Sequence, residues 1–326
     1  MLIKLLLATK YKTLCRSGLI IACLFQAACL QSEAPTLRVG TNIWLGYEPL
    51  YLAQELGHWT PDEIRLTEYP SATDVLRAFR NQSIQAASLT LDEVLQLRQD
   101  RIPVKIILVH DISQGGDAIL AKPPVTTVKQ LKGKRIGVEN NALGAFVVTR
   151  ALELNNMSIN DVKIVSSSVN EHISDYEKNR IDAVVTFEPS RTKLLNAGAS
   201  EIFNSKQIPG EIVDVLVVHE KYFSKHPGRI KHLIRGWFKA VDYLANRPAD
   251  ASAIISRRLG TTTEEILYGL AGLHIPDMSE NIELLDGEKA KLLTTLTHLN
   301  RVMSQHGLIQ GRVNTDNLLS SSAIKE

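Results

Sequence analysis

Strand-like and helix-like patterns alternate along the first part of the chain. Leu37–Thr41 reads as a short strand, and apolar positions near the helical period follow between Leu50 and Leu56. The alternation continues with strands at Ile64–Tyr69, Ile84–Leu89 and Val104–His110, and with helices from Ser71 to Asn81 and from Val94 to Gln99. This rhythm predicts an α/β fold in which helices flank a mostly parallel sheet.

A second series of the same kind begins near Gly115. It comprises strands at Gly115–Ala121, Arg135–Val138, Lys163–Ser166 and Asp182–Phe187, and helices at Gly144–Asn155, Glu171–Asn179 and Pro189–Ala197. After one more strand, Asp214–His219, the pattern is helical as far as His306. The inserted series predicts two lobes. We expect lobe 1 to be discontinuous (37–113 and 215–319), lobe 2 to span 114–214, and the tail at 320–326 to be disordered.

Composition and charge exclude several classes of protein. The chain is 44% apolar and 22% charged, which is ordinary for a globular protein. Its net charge is +2, but four basic residues and no acid lie in the first 16 positions, and removing those four leaves −2. No basic surface for nucleic acid is therefore indicated. The nine histidines show no metal-binding pair, and all three cysteines precede position 30, so the sequence predicts no metal centre and no cofactor.

The first residues form the three parts of an export signal. A basic start is followed by a short apolar run and small residues, too short for a comfortable membrane span. We expect residues 1–28 to be a signal peptide, Cys29 to be lipidated and 29–36 to be a linker, although Gln26 departs from the usual lipoprotein site. Cys23 fits the local pattern better but leaves a very short apolar run. An ordinary cleaved signal peptide is the alternative.

Three segments carry a family resemblance. They are Trp44–Pro49 with Ala53–Gly57, then Leu131–Val138, and Ile181–Pro189. Together with the leader they resemble bacterial ABC-transporter substrate-binding proteins of the type II periplasmic-binding fold. The group in question includes nitrate, aliphatic-sulfonate, taurine and thiamine-pyrimidine-precursor binders. The resemblance implies two lobes that close on a small molecule and deliver it to a membrane permease, in a monomeric periplasmic protein.

Ligands bind at the carboxyl ends of strands in such sheets, and this rule selects the candidate site. The predicted contacts are Asn42, Trp44, Tyr47, Ser71, Thr90, Asp117, Glu139, Asn141, Phe187 and Glu188. The alternative to ligand binding is a purely structural role. The aromatic rings would then fill the core, the hydroxyls would only cap helices, and the acids would form surface ion pairs, for example Glu188 with Arg191.

The segment that follows the second lobe's first strand departs from the family. The family often has Gly-Ser there, whereas this chain has Glu139-Asn-Asn-Ala-Leu143. Asp117, inside an apolar strand, is the favoured acidic contact, since a carboxylate in a closed cleft needs a hydrogen-bond donor. Both features indicate a ligand with at least one donor group rather than a bare oxyanion.

Three functions fit these observations. The first is a non-catalytic solute-binding protein of an ABC importer. The second is a sensor that presents its closed lobes to a membrane receptor, which the fold alone does not separate from transport. The third is an enzyme similar to the fungal thiamine-pyrimidine synthases. Those need a cysteine-rich iron-binding stretch, and here no cysteine follows Cys29.

Overall fold

The computed structural model describes residues 34–139 and 142–325. The expected signal peptide and Cys29 lie outside these residues, as does Asn141. Within the described ranges, no helix is both long enough and apolar enough to cross a membrane. The described residues from Thr36 onward form one compact unit built around two β-sheets.

The first lobe begins with four strands that alternate with three helices. In chain order these are β1 Leu37–Thr41, α1 Glu48–Glu55, β2 Ile64–Glu68, α2 Ala72–Arg80, β3 Ala86–Thr90, α3 Leu91–Gln99 and β4 Val104–Ser113. Strand β1 pairs in parallel with both β2 and β3. The carboxyl ends of β1 and β3 therefore lie side by side at one edge of the sheet.

The second lobe repeats this arrangement. Its elements are β5 Ala118–Ala121, β6 Arg135–Val138, α4 Ala142–Leu154, β7 Lys163–Ser166, α5 His172–Glu177, β8 Ala183–Thr186, α6 Ser190–Asn196 and β9 Ser200–Asn204. The strand order is β7-β6-β8-β5-β9, with β6 parallel to β7 and β8 and with β5 antiparallel to β8 and β9. All strands except β5 thus run in one direction, which confirms the mostly parallel sheet.

The chain then returns to the first lobe. The returning elements are β10 Val213–His219, α7 Glu220–Lys225, α8 Pro227–Asn246, α9 Pro248–Leu259, α10 Thr263–Leu270, β11 Leu273–His274, α11 Met278–Leu285 and α12 Leu292–Gln305. Strand β10 inserts antiparallel between β3 and β4, giving the order β11-β4-β10-β3-β1-β2. The chain crosses between the sheets after β4 and again before β10, so two strands, β5 and β10, leave from the connection between the lobes.

Helix caps place the helices that border the space between the lobes. Helix α2 begins after Ser71, whose Oγ accepts the amide of Asp74 at 3.1 Å. Helix α3 begins after Thr90, whose amide donates to Glu93 Oε2 at 3.0 Å, as the Thr-Leu-Asp-Glu pattern predicts. Both helices start directly at the carboxyl ends of strands, or one short turn beyond them.

The tail of the chain and one strand of the second lobe differ from the sequence prediction. The prediction of a disordered tail is wrong for residues 320–325, because Ala323 and Ile324 are buried in the core. The segment is tied to β4, since Ser320 donates its amide to the carbonyl of Ile106 at 2.9 Å. Strand β9 is also absent from the sequence prediction. It lies at the edge of its sheet and only Phe203 in it is buried, so its pattern is weak.

Candidate functional site

A small cavity of about 20 Å³ lies between the lobes, at the ends of β1, β3, β6 and β8. Most of the predicted contacts line it. They are Asn42, Trp44, Tyr47, Thr90, Asp117, Glu139 and Phe187. Four residues that were not predicted complete the lining, namely Ala72, Glu93, Leu143 and Asp214. Two predicted contacts, Ser71 and Glu188, do not line the cavity.

The turn from β1 into α1 carries two rings of the cavity wall. Trp44 is extended and a single 3-10 turn, Leu45–Tyr47, follows before Pro49 enters the first turn of α1. Gly46 permits this path, because a Cβ there would lie 1.7 Å from Asp111 Oδ2 and 2.6 Å from Trp44 Nε1. The glycine therefore serves close approach, as expected for this loop.

Three aromatic rings form a wall that both lobes contribute to. Trp44 and Tyr47 from lobe 1 cluster with Phe187 from lobe 2. The Trp44 and Phe187 ring centroids are 5.3 Å apart with the planes at 88°, an edge-to-face contact. The rings are buried, so they fill space between the lobes and at the same time present apolar surface to the cavity.

Carboxylates dominate the polar part of the lining. Glu93, Asp117, Glu139 and Asp214 border the cavity, and no Lys, Arg or His is among the described residues that line it. Tyr47 donates its hydroxyl to Asp214 Oδ1. Behind the wall, Trp44 Nε1 donates to Asp111 Oδ2 at 3.0 Å. The two rings thereby hold one buried acid each.

Asp117 is an acid of the lining that has one carboxylate oxygen without a hydrogen-bond donor among the described residues. Its backbone amide donates to Ser113 Oγ at 3.2 Å, and the residue is 2% exposed. Its Oδ2 has no hydrogen-bond partner among the described residues. A buried carboxylate oxygen without a donor is costly, so this atom is suited to receive a hydrogen bond from a ligand.

Burial and mutual repulsion shift the acids toward the protonated form. Burial raises the pKa of Asp117 to about 6 and that of Asp92 to about 7. Burial followed by the charge of Asp92 raises the pKa of Glu93 to about 8. The pKa values of Asp111 and Asp214 are raised well above the ordinary range by burial, with a further contribution from neighbouring carboxylates. The cluster therefore does not carry its full negative charge at neutral pH.

The protein's own acids occupy the helix amino termini around this site. Glu139, from lobe 2, accepts the amide of Thr73 at the start of α2 in lobe 1, at the long distance of 3.5 Å. Burial raises the pKa of Glu139, and the amides at this helix end oppose the rise. Glu93 accepts at the start of α3. These positions, which favour an anion, already hold carboxylates.

Two other acids singled out by the sequence have structural partners. Glu188 accepts from Arg191 Nη1 at 3.2 Å and from the amide of Thr192 at 3.1 Å, so it serves the start of α6. Glu48 is 1% exposed and accepts from Arg258 Nε at 2.8 Å. Burial raises its pKa to about 7 in spite of Arg258. Neither acid lines the cavity.

A larger groove of about 390 Å³ adjoins the cavity and shares Glu139 with it. It runs along α4 and β7, and its wall is mainly aliphatic, with Val148, Leu152 and Ile164 among its residues. We place the candidate site in the smaller cavity because its described lining brings together four acidic side chains and three aromatic rings from both lobes. Within the described residues no group of three or more His, Cys, Asp or Glu is arranged to hold a metal ion.

Comparison with known proteins extends this description. The family model described as NMT1/THI5 like matches residues 45–251. The taurine-binding periplasmic protein of Escherichia coli (strain K12) is 22% identical over 238 residues, which cover 71% of this chain and 73% of that protein.

Two solved structures share the fold. The alkanesulfonate-binding protein SsuA from Xanthomonas axonopodis pv. citri, bound to MOPS, is 17% identical with a TM-score of 0.73, over 86% of this chain and 96% of that one. The desulfurization enzyme DSZB is 15% identical with a TM-score of 0.65, over 89% of this chain and 98% of that one. The fold predicted from the sequence is confirmed by these likenesses.

Proposed function

Because the chain belongs to the NMT1/THI5-like family, we propose that it is the solute-binding protein of an ABC importer. It takes a small polar organic molecule into the cleft between its lobes and delivers it to a membrane permease. The observation that carries this proposal is the cavity itself. Both lobes contribute to its aromatic wall, and a buried Asp117 oxygen in it has no partner.

The relatives support a binding role. One is named a taurine-binding periplasmic protein, and another is named an alkanesulfonate-binding protein. Two strands, β5 and β10, leave from the connection between the lobes and carry Asp117 and Asp214 at that connection. A ligand that contacts Asp117, Asp214 and Phe187 would be enclosed by both lobes. Closure of the lobes would then be coupled to ligand binding.

The proposed location is the periplasm, with an anchor at a lipidated Cys29. Replacing Cys29 by serine should move the protein from the membrane fraction into the soluble periplasmic fraction. Cys23→Ser, a cysteine in the same leader, is the matched control and should leave the protein with the membrane. Equal distribution of the native protein and Cys29→Ser would reject the anchor.

A sensor role and an enzyme role are the alternatives. The enzyme alternative has one supporting observation, the fold shared with DSZB. Against it, no cysteine follows Cys29, and no serine or histidine is among the described residues that line the cavity. The partner in the cell separates transport from sensing. Co-purification with a permease supports import, and co-purification with a receptor instead overturns it.

A thermal-shift screen of the full chain tests the binding role. Sulfonates, amines, amino acids and pyrimidines are added in turn, and a true ligand should raise the melting temperature with the logarithm of its concentration over its dissociation constant. Phe187→Ala should abolish the rise, whereas Leu154→Ala, which removes a half-exposed side chain outside the cavity, should preserve it. If no small molecule produces a shift, the proposed function is rejected.

A further inference from the structure

Building on the proposed function, we propose that the ligand is a small organic cation with N–H donors, such as a protonated amine, amidine or guanidine. The relatives named above for taurine and alkanesulfonate bind molecules with a sulfonate group. The cavity of this chain has the opposite electrostatic character. Three observations support a cation.

The first observation is the charge of the lining. Glu93, Asp117, Glu139 and Asp214 face the cavity, and its described lining contains no basic side chain. The exposed Lys206 packs against Gly115 nearby but forms no ion pair with the acids described here. A buried anion in this cavity would meet like charges in a medium that screens them poorly. A cation would neutralise them.

The second observation concerns the helix amino termini. An α/β cleft usually holds a sulfonate or phosphate at these ends, where free amides and the helix dipole favour negative charge. Here Glu139 reaches across the cleft to the start of α2, and Glu93 occupies the start of α3. A sulfonate would have to displace one of these carboxylates. Within the described chain, the protein's own carboxylates thus occupy the helix ends that would otherwise favour an anionic ligand.

The third observation is the orphaned oxygen. Among the described residues, none donates a hydrogen bond to Asp117 Oδ2, which is buried in the lining. An ammonium or guanidinium N–H supplies both the donor and the counter-charge that it lacks. The rings of Trp44, Tyr47 and Phe187 also line the cavity, and the face of an aromatic ring attracts a cation. A quaternary ammonium would satisfy the rings but would leave the oxygen without a donor.

Proton linkage follows from the neighbours of Asp117. The groups around it are Asp92, Asp111 and Asp214, with Glu93, Glu139, Tyr47 and His110 one contact further out. All of the acids have raised pKa values, and burial lowers the pKa of His110 to about 3, so that ring stays neutral. A bound cation favours ionised carboxylates. Binding should therefore release protons and strengthen as the pH rises.

Three molecules with the same two-carbon chain test the sign of the charge. Ethylamine ends in an ammonium, ethanesulfonate in a sulfonate, and taurine in one of each. Calorimetric titration of the full chain should give the affinity order ethylamine, taurine, ethanesulfonate, with about tenfold or more between the first and the last. Ethylamine should bind at least about fivefold more tightly near pH 8 than near pH 5. Putrescine, a longer diamine, extends the comparison to a larger amine.

Substitutions of Asp117 and Glu139 test whether these residues determine the preference for a cation. Asp117→Asn should weaken ethylamine binding about tenfold, and Asp62→Asn, which changes an acid outside the cavity, should not alter it. Glu139→Gln should reduce the ratio of ethylamine to ethanesulfonate affinity. A merely structural role for Glu139 would weaken both ligands equally and leave that ratio unchanged.

The outcomes separate this inference from the proposed function. If ethanesulfonate binds more tightly than ethylamine, the inference is overturned while the binding role stands. Equal binding of tetramethylammonium, which has no N–H, overturns the donor requirement, and an equal response to calcium chloride overturns the organic cation. If no amine, sulfonate, amino acid or pyrimidine binds, the proposed function fails and the inference fails with it.

Discussion

Replacing Asp117 by asparagine should stabilise the ligand-free protein at alkaline pH although it weakens ligand binding. Burial raises the pKa of Asp117 from 3.8 to about 6. An acid whose pKa rises on folding holds its proton more tightly in the folded state, so its ionisation opposes folding. The rise corresponds to about 3 kcal/mol, because each pKa unit is worth about 1.4 kcal/mol.

The pH dependence of this cost sets the size of the expected effect. The cost is absent well below pH 3.8, grows as the pH rises toward the folded-state pKa of about 6, and is complete above it. Asparagine never ionises, but its amide lacks a partner, which costs about 1 kcal/mol at every pH. Near pH 8 we therefore expect Asp117→Asn to be more stable than the native chain by about 2 kcal/mol.

Urea unfolding at two pH values measures this difference. Between about pH 5 and pH 8 the advantage of the variant should grow by about 1.4 kcal/mol, since roughly half of the ionisation cost is already present at the lower value. Asp62→Asn is the matched control. The Asp62 side chain is 97% exposed, so its substitution should change stability by less than about 0.5 kcal/mol at either pH. A constant loss of stability in Asp117→Asn at both pH values would refute the reasoning, because it would make this carboxylate an ordinary structural acceptor.

Three further substitutions address the scaffold of the site. Tyr47→Phe removes the hydroxyl donated to Asp214 and should cost about 1–3 kcal/mol in urea unfolding; unchanged stability would contradict that hydrogen bond. Arg258→Ala leaves Glu48 buried without its cation and should cost about 3–5 kcal/mol near pH 8. The loss should be smaller near pH 5, where Glu48 can take a proton, and adding Glu48→Gln should recover most of it. Gly46→Ala places a methyl group 1.7 Å from a buried carboxylate oxygen, so it should cost at least about 1–3 kcal/mol and shift the tryptophan fluorescence. A neutral Gly46→Ala would show that the loop has room.

Sequence patterns predicted most of the fold because its strands are short, buried and punctuated by caps. The Thr90-Glu93 cap and the strand predicted at Val104–His110 follow from local residue types alone. The structure confirms both, although the strand extends to Ser113. Strand β9 and the packed tail depend on distant partners. Ile324, for example, sits in a Ser-rich segment whose burial is decided by contacts with the core far earlier in the chain.

The sequence predicts seven of the eleven described residues that line the cavity, but it does not reveal how the acids combine there. Asp117 stands out in sequence because it is an acid in an apolar strand, and Asp214 carries the same signal. Glu93 reads only as a helix cap, yet the capped end opens on the cavity, so the same carboxylate also lines it. That these acids meet in one space follows from the insertion of β10 between β3 and β4, which no local pattern reveals.

The sign of the ligand's charge is therefore a property of side chains rather than of the fold. The same two-lobed architecture in a relative named for alkanesulfonate binding accommodates an anionic class of molecule. In this chain, Glu139 and Glu93 place acidic side chains at the helix ends of the cleft, and Asp117 offers an oxygen that has no donor among the described residues. A substrate that brought a further negative charge would oppose these groups, whereas a protonated amine would meet each of them with an N–H or a positive charge.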